Sequence, residues 1–189
     1  MKENAMYEKR VTYGQLKALV LKLLDEANPK NDLTAKIPVF ADTAQREVSL
    51  YCPVRVVLPV EGDTLLPEDC RRVTSVTTGP FGESVEYRVV QTQDGAQLQA
   101  DAYPALIWYE KIPESITSTT EADYELELPE KAVLAMAYYI AAQCNSMEYD
   151  QRFFQSFFAQ YQGKLANLAA DSTGPEFTAT ANSDLPDWM

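Results

Sequence analysis

The chain of 189 residues contains no histidine. That removes the commonest general base at neutral pH, the commonest zinc ligand and the centre of an ordinary Ser-His-Asp triad. Cysteine is scarce too. Cys52, Cys70 and Cys144 are odd in number and far apart. They make neither a zinc spacing nor a disulfide framework, and read as free thiols in a reducing compartment. No apolar run is long enough to span a membrane. Met1 to Arg10 is charged and lacks an apolar signal core. A soluble, cytosolically made protein is expected. Basic residues are outnumbered, 16 against 28 acidic, for a net charge of −12. Such a surface repels a phosphate backbone and argues against sequence-specific nucleic-acid binding, while a docking surface for a basic partner stays open.

What is present is apolar and periodic. Hydrophobic residues make up 46% of the chain, enough for a real core, and the length fits one domain, or one domain carrying a sizeable insertion. The strongest stretch is Leu128 to Ala170, which predicts two helices and a short joint. Pro129 suits a first helical turn, and Glu127 and Glu130 favour the positive end of the helix dipole. Ala132 to Ala142 is apolar on nearly every face, so this helix, over 129–144, should have neighbours on several sides. The next, over 150–170, shows one clean face: Phe153, Phe154, Phe157, Phe158, Tyr161, Leu165 and Leu168.

Upstream, Thr12 and Gln15 fit a capping box, with Val11 able to staple against Leu16. Leu16, Leu19, Val20, Leu23, Leu24 and Ala27 predict a helix over 12–27, stopped by Asn28-Pro29. A polar connection precedes a helix over 38–52, with Phe40, Ala44, Val48 and Tyr51 on one face. Asp42, Gln45, Arg46 and Glu47 face water or a neighbour, and Arg46 and Glu47 read as a solvated face.

Between the second and third helices the pattern turns to strands. Val54 to Leu58, Arg71 to Thr77, Val85 to Val90, Gln97 to Ala100 and Ala105 to Ile112 are short and rich in β-formers. Gly79-Pro80-Phe81-Gly82 and Asp94-Gly95 are turns between them. The expected fold is α+β: a four-helix core, two N-terminal helices plus a C-terminal helical hairpin, with a small, mostly antiparallel β insertion over 53–113. A flexible arm, 1–11, and a flexible tail, 171–189, would flank a single domain over 12–170. Leu185 and Trp188 stand out in the polar tail, as accident or as a docking anchor.

Catalytic patterns are absent. Glu68/Asp69 and Glu125/Glu127 are carboxylate pairs, but they sit at a turn and a helix entrance, where acids are ordinary. The Gly79 turn lacks the Lys-Ser/Thr and the helix start of a phosphate loop. Trp108 and Tyr109 could stack a base or a sugar, but neighbours on a strand point to opposite faces, so only one can face the core. The other is left for a helix, the tail or a neighbouring chain. No cofactor, metal site or enzymatic activity is expected.

Three stretches carry a family likeness. They are Leu66-Pro67-Glu68-Asp69 leading into Cys70–Val76, then Ala105–Pro113, then Glu127-Leu128-Pro129-Glu130 with the helix behind it. With the helix–strand–helix order over about 12–168, they resemble the head–tail connector (adaptor or neck) proteins of tailed bacteriophages, including the tail tubular adaptor type. The resemblance implies a virion part made in the bacterial cytoplasm. Its subunits form a ring, commonly twelve-fold, between the portal and the tail or stopper protein. DNA only passes through the channel, and no membrane is involved. It also favours an anchoring role for Leu185 and Trp188, which join Trp108 and Tyr109, read from the strand itself, as candidate partner contacts. The alternative from the residues alone is a carbohydrate- or peptide-binding module using the strand aromatics. A hydrolase built on paired acids would need a concave site with a raised carboxylate pKa.

Overall fold

The computed structural model describes residues 10–26, 31–147 and 151–171. It is α+β: four helices and two small antiparallel sheets, with all the strands between the second and third helices. The chain divides into two compact units. One holds the described residues up to Pro53 and from Pro113 onward, and the other holds Val54–Ile112.

In the helical unit, α1 spans Tyr13–Leu23. The capping box is formed: Thr12 Oγ1 accepts from Gln15 N at 3.2 Å, and Gln15 Oε1 accepts from Thr12 N at 3.0 Å. The helix ends before Asn28-Pro29, because Asp25 turns left-handed at φ 55°. Glu26 N then bonds Leu21 O and Asp25 N bonds Lys22 O, a Schellman closure with aspartate in the position glycine usually takes.

The second helix, α2, spans Asn31–Val48 and carries Pro38 inside it, not at its start. The expected start at 38 took proline as a first-turn residue. The buried row is therefore Ile37, Ala41, Ala44 and Val48, while Tyr51 stays exposed. Ile37 escaped the pattern because it lies just ahead of the proline.

The hub is α3, Glu130–Met147. Its Ala132, Val133, Ala135, Met136, Ala137, Ile140, Ala141 and Ala142 are all buried. It packs on α1, α2 and α4 (Gln151–Asp171), which is why its sequence is apolar nearly all round. Aromatic pairs lock the α3–α4 hairpin. Tyr139 meets Tyr161 edge-on at 5.2 Å, and Tyr138 lies 6.4 Å from Phe157. Phe153, at the outer margin of the predicted face, is exposed.

In the β unit the strands form two sheets where one was expected. β1 (Val54–Val60), β6 (Ala105–Lys111) and β3 (Cys70–Thr77) run in the order β1-β6-β3. β2 (Thr64–Leu65), β5 (Gly95–Ala100) and β4 (Tyr87–Thr92) run in the order β2-β5-β4. Val60, Val76, Leu98, Ala105 and Ile107 come from both sheets and, with Val85 from the segment before β4, make one core. The Asp94-Gly95 turn is a tight hairpin, with Thr92 opposite Gly95 and a φ of 132° at the glycine.

Candidate interface

Trp108 and Tyr109 part company on β6, as strand alternation requires. Tyr109 shares the face of Ala105 and Ile107 and is 5% exposed. Its hydroxyl lies 3.5 Å from Asp69 Oδ1. Trp108 takes the opposite face, half-buried, with its indole N–H donated to Thr77 Oγ1 at 3.0 Å. Two adjacent rings open to a planar ligand are therefore not available at this strand. Leu185 and Trp188 lie outside the described residues.

One carboxylate of each pair is engaged in holding the fold. Asp69 stands 3.8 Å from Lys111 Nζ, and its carbonyl accepts from Ile112 N at 2.7 Å. Glu127 accepts from the backbone N of Glu114 at 2.9 Å. Glu110, on the Trp108 face of β6, is buried and bonded to Arg72.

The polar row on α2 is shared between water, where Arg46 is exposed, and a neighbouring segment. Gln45 is 2% exposed, with Nε2 donated to Glu114 O at 2.6 Å and to Asp42 Oδ1 at 3.1 Å. Asp42 Oδ1 also accepts from Ile116 N at 2.9 Å, and Arg46 Nη2 reaches Ser115 Oγ at 2.6 Å. Three side chains within about one helical turn, Asp42 with Gln45 and Arg46, thus clamp the chain as it enters the return segment. That segment then runs against the start of α1, where Tyr13 N bonds Tyr124 O and Leu126 N bonds Val11 O. The sequence showed a polar face on α2, and its spacing of three and four was the signal for the clamp.

Around the return, Tyr124 is held against Glu127 and Glu114. Burial, then the two carboxylates, push its pKa up to about 12. The environment favours a neutral phenol, the opposite of what a nucleophile or general base there would need.

Exposed apolar residues mark the surfaces a partner could cover. On the helical unit they are Val39, Leu50, Tyr51 and Phe153. On the β unit Phe81 stands wholly exposed at the tip of the turn before β4, and Tyr87, Val89 and Val90 are exposed along β4 itself. The sequence showed the turn and the strand, but not that this strand lies at an edge with both faces open. Grouped apolar exposure of this kind is the usual sign of a protein–protein contact.

Among the described residues, no helix is long and apolar enough to cross a membrane. No curated protein matches the chain. The family model described as SU10 adaptor protein matches residues 11–184. With its helical hairpin and its β insertion, the chain belongs to the SU10 adaptor protein family and is a structural phage adaptor.

Proposed function

We infer that the protein is a head–tail connector subunit, assembling with copies of itself into a ring between portal and tail and lengthening the DNA channel. The observation that carries this reading is the family match over 11–184. The structure supports it with a helical unit stiffened by a hub helix and a β unit that leaves apolar side chains in water. The net charge of −12 suits a channel wall that does not hold passing DNA. Twelve copies is the ring size that the family likeness suggests.

Trp108, Leu185 and Trp188 are the proposed partner contacts. Tyr109, being buried, would support β6 from its core face.

The test is to mix the purified protein with the portal of the same phage and image the product. A ring seated on the portal is expected. Protein that stays monomeric beside an undecorated portal would overturn the reading. Counting subunits in the same images tests the twelve-fold expectation separately.

A further inference from the structure

Open sheet edges template further strands, and folded proteins blunt them with proline, bulges, lysine or short length. Three of the four edges in the β unit are blunted. β1 carries Pro59, β2 has two residues, and β3 breaks register between Cys70 and Arg72 and again between Val73 and Ser75. β4 is different. Tyr87-Arg88-Val89-Val90-Gln91-Thr92 pairs with β5 in unbroken register and contains neither proline nor lysine. It also exposes valine on both faces, Val89 at 46% and Val90 at 38%.

The hydrogen-bond parity identifies the groups that face outward. Thr92 and Gly95 close the hairpin as a bonded pair, so Arg88 and Val90 bond β5 as well. The bond from Asp101 N to Glu86 O has the same parity. On the other side of β5, Ala96 O accepts from Leu66 N, as the alternation demands. The backbone groups of Tyr87, Val89 and Gln91 therefore point away from the sheet.

The chain itself carries a segment that fits. Within residues 172–189, Glu176-Phe177-Thr178-Ala179-Thr180-Ala181 alternates polar with apolar side chains and has no proline inside it. It matches the six residues of β4 in length. Phe and Thr favour strands, and Phe177, Ala179 and Ala181 would share one face. Residues 172–189 also lack any basic residue, and Arg88 lies on β4. β4 is exposed along most of its length, and among the described residues no strand pairs with its outer edge.

We propose that Glu176–Ala181 of one copy adds as a strand to the open edge of β4 in a second copy. This deepens the ring reading and rests on it for its setting, but it has its own readout.

The experiment is amide hydrogen exchange resolved to single residues, on the full chain over a range of concentrations and on the portal-bound assembly. Assembly should slow exchange about tenfold or more at Tyr87, Val89 and Gln91, with little change at the already bonded Arg88 and Val90. The double variant Thr178→Pro/Ala179→Pro removes a strand donor in either register and should abolish that slowing, while Thr178→Val should keep it. If rings form but these three amides exchange as in the monomer, or are slowed equally in the proline variant, the strand proposal is overturned and the ring stands. If no ring forms yet the slowing appears with concentration and depends on the segment, the strand pairing stands and the ring reading falls. Amides that stay open at every concentration and on the portal overturn the strand proposal outright.

Discussion

Glu110 Oε1 accepts a 2.6 Å hydrogen bond from Arg72 Nη2, joining a carboxylate whose side chain is 9% exposed to a guanidinium that is 68% exposed. The two partners do not have equal stakes. Removing the arginine leaves a carboxylate shielded from water with its charge uncompensated, whereas removing both charges leaves no such debt. Arg72→Met should therefore lower the melting temperature, and adding Glu110→Gln to it should recover part of the loss. A thermal-denaturation double-mutant cycle reads this. Equal melting temperatures for Arg72→Met and the wild type would show that water already solvates Glu110.

Gly14 sits in the first turn of α1, where alanine would ordinarily be the better helix former by about 1 kcal/mol. Here a Cβ would meet Ala122 O at 2.7 Å, and Gly14 N already bonds that same carbonyl at 2.8 Å. A backbone atom cannot swing aside as a side-chain tip can. Gly14→Ala should therefore destabilise by about 1–3 kcal/mol despite the propensity gain. Urea unfolding, with unchanged slope and a lower midpoint, is the expected result.

Among the described residues Tyr161 is the largest of the fully buried side chains, and its hydroxyl makes no well-formed hydrogen bond. Burial, then the charge of the nearby Glu47 carboxylate and its pull on the phenol proton, push its ionisation upward, although the pair falls short of full hydrogen-bond geometry. Phenylalanine keeps the edge-on contact with Tyr139 and drops the buried oxygen. Tyr161→Phe should raise stability by about 1 kcal/mol, against the several lost on truncation to alanine. A drop in the denaturation midpoint of Tyr161→Phe would mean that the oxygen is bonded after all.

Tyr124 makes stability depend on alkaline pH. Its pKa is pushed up to about 12 from 10.0 by burial and by Glu127 and Glu114. Below pH 10 both folded and unfolded forms keep the proton, and the contribution is whole. From pH 10 to about 12 the unfolded chain loses its proton first, so stability falls as pH rises. Tyr13, Tyr103, Tyr139 and Tyr161 shift the same way and add to the fall. Denaturant unfolding at pH 9, 10 and 11 should give a shallower decline for Tyr124→Phe than for the wild type. Parallel declines would remove Tyr124 from the account.

The helical pattern was readable because burial has a period. Leu16 and Val20, the all-round apolar α3 and the Tyr161-Leu165-Leu168 row all repeat at three- and four-residue steps, which one buried face imposes locally. The capping box at Thr12 and Gln15 and the Asp94-Gly95 hairpin are local too, since each is closed by residues within three positions. Where one residue permits two local readings, the pattern slipped. Pro38 can open a helix or sit inside one, and choosing the first hid Ile37.

By itself, then, the sequence determined the four helices, five of the six strands, their order and the exclusion of histidine chemistry, because these depend on residue type and short spacing; the two-residue β2 was too short to carry a pattern. The tertiary structure alone decided that the strands divide into two sheets, that Tyr109 turns inward while Trp108 does not, that Gln45 clamps Glu114 from 69 positions away, and that β4 is left at an open edge. Each depends on which distant segment arrives beside it. Strand partnership and long-range burial carry no period along the chain from which to read them.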